Sequence, residues 1–142
     1  MIQLYECVPN FSEGKDKDKI DQIVAEITAV PGTVLLDVQM DADHGRSVVT
    51  FVAAREAAMT AAFNACRKAA ELIDLNQHKG EHPRLGATDV IPFIPVARGT
   101  MAEAKEMARI LAKRIGESLD IPTFVYGQAA YRTAHSTYAK SR

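Results

Sequence analysis

Eleven consecutive residues, Lys79-Gly80-Glu81-His82-Pro83-Arg84-Leu85-Gly86-Ala87-Thr88-Asp89, place one imidazole, one guanidinium, one ammonium and two carboxylates in a single stretch shaped by two glycines and a proline. A histidine titrates near neutral pH, so His82 can both take and return a proton, which is what a group-transfer step needs. Pro83 biases His82 towards extended backbone and out of any helix. Gly80 and Gly86 permit tight turns on either side. Glu81 or Asp89 could orient one ring nitrogen and leave the other for a substrate. Arg84, with Arg46 from elsewhere in the chain, carries a planar fork that matches a carboxylate. A surface ion pair is the commoner fate of an arginine, and a plain polar turn has the same composition as this stretch. The residues alone leave both an acid/base His82 and a plain loop open.

A second polar loop, Pro9-Asn10-Phe11-Ser12-Glu13-Gly14, could offer backbone and side-chain donors from Asn10 and Ser12 to a bound anion. Its competing reading is a simple strand-to-helix connection with Ser12 or Asp16 near the helix cap. The remaining histidines are His44, His78 and His135. His78 and His82 are four apart, but Gly80 and Pro83 argue against a continuous helix there, so the pair is a weak zinc signal and no metal site is expected. Cys7 and Cys66 are far apart and each sits in an apolar pattern, which reads as two buried thiols and neither a disulfide nor a metal pair. Neither a Gly-x-Ser-x-Gly elbow nor a phosphate-binding P-loop occurs.

The elements that must position these groups follow from pattern. Ile2 to Val8 has strand composition. Ile20, Ile23, Val24, Ile27 and Val30 fall at helical spacing, and Pro31-Gly32 stops that helix. Thr33 to Val38 is an apolar run bounded by turn residues and reads as a buried strand. Asp41-Ala42-Asp43-His44-Gly45 is a turn, and Ser47 to Val52 returns as the second strand of a hairpin. Met59, Ala62, Phe63, Cys66, Ala69, Ala70 and Ile73 mark a second, alanine-rich helix ending near Asp74. Asp89 to Val96 is a strand, but Pro92 and Pro95 predict an edge or irregular one. Thr100 with Glu103 predicts a capping box for a third helix, whose packed face is Met107, Ala108, Leu111 and Ile115. Ile121 to Tyr126 is a last strand. Gly127-Gln128-Ala129-Ala130 could begin a short final helix, and the tail from about residue 131 looks irregular. The first six elements give the ferredoxin-like βαββαβ order, an α+β fold with a mostly antiparallel sheet and helices on one face, extended by a further helix and strand.

The 142 residues suit one domain. They are 47% hydrophobic and 25% charged with a net charge of −1, the balance of a globular chain and not of a nucleic-acid binder. No apolar run is long enough for a bilayer, and the N-terminus, with Glu6 inside it, lacks the basic region of a signal peptide. A cytoplasmic protein is expected, with no nucleic-acid or membrane partner.

Glu6-Cys7-Val8-Pro9-Asn10-Phe11-Ser12-Glu13-Gly14 and the run from His78 to Val96 resemble the N-terminal subdomain of glutamate formimidoyltransferase, which is also the front of the bifunctional formimidoyltransferase–cyclodeaminase. Leu35-Leu36-Asp37, Arg46-Ser47-Val48 and Val125-Tyr126-Gly127 add to the likeness, which covers residues 1 to about 130. The resemblance implies transfer of a formimino group from N-formimino-glutamate to tetrahydrofolate, a step of one-carbon metabolism and histidine degradation. It implies His82 as the acid/base residue and Arg46, Arg84, Lys79, Asn10 and Ser12 as substrate-binding residues. It also implies tetrahydrofolate as co-substrate, no metal, a homo-oligomer such as a dimer, and a folate groove shared with a C-terminal subdomain. Three departures stand against it: Gln39 where the family commonly has aspartate, Gly45 where it has asparagine, and Gln128 with Tyr131 in a run that ordinarily reads Gly-Glu-Ala-Ala-Arg. Because the chain ends at Arg142, the expectation is a unit inactive alone that acts with a separately encoded C-terminal subdomain. The alternative is a non-catalytic descendant that binds a folate-like or amino-acid ligand, or another protein.

Overall fold

The computed structural model describes residues 2–73, 86–121, 123–126 and 130–133. Its elements are β1 (Leu4–Cys7), β2 (Asn10–Phe11), α1 (Lys17–Thr28), β3 (Val34–Asp41), β4 (Arg46–Ala54), α2 (Arg55–Leu72), β5 (Thr88–Pro95), α3 (Met101–Leu119), β6 (Thr123–Tyr126) and β7 (Ala130–Thr133). β1 and β2 are two halves of one strand, since both pair with β4 on one side and β5 on the other. The sheet therefore runs β3, β4, β1/β2, β5, β7, β6, with every pairing antiparallel. This is the ferredoxin-like order, extended at the β5 side by α3, β6 and β7.

Alternation along the strands creates the two faces. In β4, Ser47, Val49, Phe51 and Ala53 are buried while Val48, Thr50, Val52 and Ala54 are only partly covered. Tyr5, Cys7 and Phe11 on β1/β2, with Ile91 and Phe93 on β5, share the buried side. The helices close on it. α1 contributes Ile20, Ile23 and Ile27; α3 contributes Met107, Ala108, Leu111 and Ile115. α2 buries Ala58, Ala61, Ala62, Ala65 and Ala69, short side chains that let the helix lie close to the strands. The opposite face carries no helix among the described residues. Both cysteines are buried in the core, as the apolar pattern predicts.

Local signals explain the boundaries. Asp16, and not Ser12, caps α1: its side chain accepts from the Lys19 N–H. Gly32 takes a positive φ after α1, a conformation glycine reaches without strain. Thr100 caps α3 and accepts from the Glu103 N–H, but the capping box is only half formed. The Glu103 carboxylate turns instead to the core edge, where it accepts the Tyr5 hydroxyl and pairs with Arg55 at 3.1 Å. Burial first, and then the Glu103 carboxylate, push the Tyr5 hydroxyl's pKa up.

Three expectations need correction. β3 is not a buried strand but an edge: Val34 is 57% exposed and Leu36 54%. Among the described residues, β4 alone is its neighbour. β5 is not an edge, because β1/β2 flank it on one side and β7 on the other, but it is irregular, as the other half of the expectation had it: its register against β2 shifts between Asn10 and Phe11. Its prolines are tolerated by placement. Pro92 lies beside the β1/β2 break, where its carbonyl accepts from Val8 N–H at 3.2 Å. Pro95 lies beyond the β7 pairing, which covers Val90 to Pro92. Finally, Ala130 does not belong to a helix, and residues 131–133 are not irregular; they form β7, which pairs with both β5 and β6.

Among the described residues, no helix is long and apolar enough to cross a membrane, and no group of His, Cys, Asp or Glu is placed to hold a metal.

Candidate active site

One end of the sheet gathers the polar loops. Three segments meet there: the loop after β2, the β3–β4 turn and the approach to β5. Ser12 donates its backbone N–H to Ala87 O at 2.8 Å and its hydroxyl to Gly86 O at 2.7 Å. The Ser47 hydroxyl donates to Glu13 O. Glu13, 6% exposed, accepts the N–H groups of Lys15 and Asp16 at 3.1 and 3.0 Å. These bonds satisfy the loop's own backbone, so the loop is fixed before any ligand arrives.

Gly14 sets how closely the loop crosses the hairpin. A Cβ there would lie 2.2 Å from Asp41 O and 2.5 Å from Arg46 N, both backbone atoms that cannot swing aside. Gly14→Ala is therefore expected to push the loop off the hairpin and lower stability by about 1–3 kcal/mol, the usual cost of overpacking. Thermal unfolding checks it; an unchanged midpoint would show that the loop adapts freely.

The sequence candidates divide into two groups. Asn10, Ser12 and Arg46 are brought together by register: Asn10 pairs with Val48, Phe11 with Ser47, and Asp41 with Arg46. Asn10 and Arg46 share the helix-free face, Arg46 exposed and the Asn10 amide donating to Val8 O at 3.0 Å. Ser12 is buried and its hydroxyl proton is committed to Gly86, so it ties the loop to β5. His82, Arg84 and Lys79, together with His78, Glu81, Gln128 and His135, lie outside the described residues. The chain leaves the described part at Ile73, the C-cap of α2, and re-enters at Gly86, the residue that Ser12 holds. Of the family departures, Gln39 lies on β3 opposite Val48 and donates to Asp37 at 2.9 Å, and Gly45 takes a positive φ in the β3–β4 turn.

Residue patterns did not reveal the Asp41–His44 pair at this end. His44 Nδ1 lies 2.6 Å from Asp41 Oδ2, and the His44 N–H reaches Asp41 Oδ1 at 3.2 Å. The side-chain bond first, then the backbone one, holds the Asp41 carboxyl below its ordinary pKa. The sign follows from linkage: a carboxyl depressed on folding adds stability above its unfolded value and loses it as pH falls through the folded one. NMR titration of Asp41 is expected to give a midpoint below that of an unpaired aspartate, rising part of the way back in His44→Ala, where the backbone N–H of residue 44 still reaches the carboxylate. An unshifted midpoint in the native chain would dismiss the pair. The three-residue spacing of Asp41 and His44 within the turn was the available signal.

At the opposite end, a shallow depression of about 400 Å³ is lined by Gln3, Thr100, Glu103, Glu106 and Arg109. Its acids are already held by Arg55, at 3.1 Å each.

A ferredoxin-like α+β unit with polar loops gathered at one end of a helix-free sheet face is the class these observations define. The sequence narrows it: residues 4–142 match the formiminotransferase domain, N-terminal subdomain, and the chain belongs to that family. It is 48% identical over 141 residues to a glutamate formimidoyltransferase of Thermoplasma acidophilum, covering 99% of this chain and 46% of that one. A Streptococcus pyogenes glutamate formimidoyltransferase is 44% identical over 142 residues, with 48% of its length covered. A Sus scrofa formimidoyltransferase-cyclodeaminase is 50% identical over 134 residues, 94% of this chain and 25% of its own. The chain thus spans about half the length of the stand-alone transferases and a quarter of the bifunctional one.

Proposed function

We propose that this chain is the N-terminal subdomain of a glutamate formimidoyltransferase and moves a formimino group from N-formimino-glutamate to tetrahydrofolate when joined by a C-terminal part. The observation that carries the reading is the family match over nearly the whole chain, with relatives named for that activity. The geometry of the loop end supports it, since Asn10 and Arg46 stand on one accessible face beside the point where the chain re-enters at Gly86.

The reaction has a simple proton requirement. Folate N5 attacks the amidine carbon and must lose its proton as the new C–N bond forms. The glutamate nitrogen must gain a proton as the old C–N bond breaks. His82, an imidazole able to act as acid or base, takes the first proton and returns it, so no proton is gained or lost overall. Arg46 and Arg84 hold the two glutamate carboxylates through paired N–H donors, and Lys79 adds a point charge. Asn10 supplies a polar contact from β2, and Ser12 acts by fixing the loop that carries it. Tetrahydrofolate is a co-substrate, and the steps described call for no metal. The setting is cytoplasmic one-carbon metabolism fed by histidine degradation, in an enzyme that is a homo-oligomer such as a dimer.

The experiment combines the purified chain with the C-terminal portion of the Thermoplasma acidophilum relative and follows glutamate release from N-formimino-glutamate in the presence of tetrahydrofolate. Release that depends on both substrates is expected. No release with the two parts assembled would overturn the reading.

A further inference from the structure

The helix-free face of the sheet holds a charge with no role in the proton transfer. Register puts Glu6 of β1 between Val52 of β4 and Ile94 of β5, with Val34 of β3 beyond Val52. The neighbouring row holds Leu4 and Ala54, and Val96 donates its N–H to Leu4 O at 2.9 Å. Glu6 therefore has Val52 and Ile94 beside it in its own row and Leu4, Ala54 and Val96 in the next, while the row on its other side holds Thr50 and, on β3, Asp37. Val34, Ile94 and Val96 are 57%, 43% and 55% exposed, so this half of the face is an open apolar surface. Among the described residues, no hydrogen bond or ion pair reaches the Glu6 carboxylate.

We propose that Glu6 is the recognition charge of this face, pairing with an arginine of the transferase's C-terminal portion inside an otherwise apolar contact. The inference rests on the transferase reading above. Water solvates Glu6 while the face is open. Once the apolar surround is covered, that water is lost, and an unpaired carboxylate in such a place is strongly unfavourable. Whatever covers the surface must therefore bring a cation. Arginine suits better than lysine, because its guanidinium is weakly hydrated and its fork meets both carboxylate oxygens. The apolar surround supplies adhesion without register. One buried charge pair supplies register and rejects surfaces that lack the cation. The occupant is the C-terminal portion because the stand-alone relatives continue past the matched part: this chain covers 46% and 48% of their lengths. A second copy fits poorly, since this half of the face offers Glu6 and Asp37 as charges, while the arginines that register puts on the face among the described residues, Arg46 opposite Asp41 and Arg132 opposite Val90, stand towards the other end.

The test is calorimetric titration of the full chain with the separately expressed C-terminal portion of the Thermoplasma acidophilum relative. Native chain, Glu6→Gln and Glu6→Leu are compared, with circular dichroism to show that each is folded; either variant alone suffices. Loss of one partner of a buried pair is expected to weaken binding at least about 30-fold, chiefly through faster dissociation. Leucine should be as damaging as glutamine. Binding by Glu6→Leu that equals or exceeds the native chain would show plain apolar adhesion and overturn the proposal while leaving the transferase reading intact. Absence of binding by the native chain would overturn the partner reading, and the proposal with it. A self-associated form of the chain alone that Glu6→Leu disperses would make a second copy the occupant and likewise overturn it.

Discussion

His82→Ala is expected to lower the rate of the assembled transferase by roughly 10²–10⁴-fold, the range that a positioned acid/base group contributes. The reasoning starts from the reaction, which needs one proton removed at folate N5 and one delivered at the glutamate nitrogen. A carboxylate is too weak a base and a lysine too weak an acid to do both near neutral pH, whereas an imidazole does either. Binding should be little affected on the proposed reading, in which arginines hold the glutamate carboxylates; the loss should then fall on kcat with KM nearly constant. Stability should change by no more than about 0.5 kcal/mol. Among the described residues, Ala69 and Ile73 before the segment and Ile91 and Phe93 after it already belong to one core. A variant that unfolds, or that keeps the full rate, would make His82 a structural residue.

How far the sequence carried the account depends on which physics set each element. The helices were legible because their burial is periodic: Ile20, Ile23 and Ile27 face the core at helical spacing, as do Met107, Leu111 and Ile115. The βαββαβ order was legible because each apolar run is bounded by turn residues. β3 was misread because hydropathy records what a side chain prefers and not how many strands flank it. Its Val34-Leu35-Leu36 run sits at an edge beside β4 alone. For β5 the irregular reading holds and the edge reading fails, for the opposite reason. Proline does exclude a ladder donor, but Pro92 falls where β1/β2 is itself broken and Pro95 past the end of β7. β7 was missed because Ala129-Ala130 favours a helix locally, while pairing to both β5 and β6 overrides that preference.

The site was legible as residue types but not as an arrangement. Asn10 and Arg46 are far apart in the chain and meet only through the β2–β4 and β3–β4 registers. The contact of Gly14 with Asp41 and Arg46 depends on how three segments cross, which no local pattern encodes. Ser12 reads equally well as ligand donor, helix cap or structural tie; its bond to Gly86 decides how its hydroxyl proton is used. In the sequence Glu6 speaks against a signal peptide and opens the first family motif, with nothing to show its setting. Its apolar surround appears once Val34, Val52 and Ile94 are in register around it.

The second large effect concerns the chain by itself. A formimino transfer site must hold N-formimino-glutamate and tetrahydrofolate together, because well-oriented reactants account for several powers of ten in rate. This chain covers 46% of the Thermoplasma acidophilum relative, and its helix-free sheet face stands open along the apolar half. On the proposed reading the groove is shared with the C-terminal part, so this chain by itself orients one substrate poorly and excludes little water, and should show transfer at or near the uncatalysed rate. Adding the C-terminal portion should restore turnover, saturably, as the two parts bind. The most direct measurement is therefore the steady-state rate of formimino transfer to tetrahydrofolate by the purified chain at fixed concentration, titrated with that C-terminal portion. The account predicts a rate near zero without it, rising to a plateau with it. Full turnover by the chain alone, or a flat zero across a titration in which the two parts are shown to bind, would contradict it.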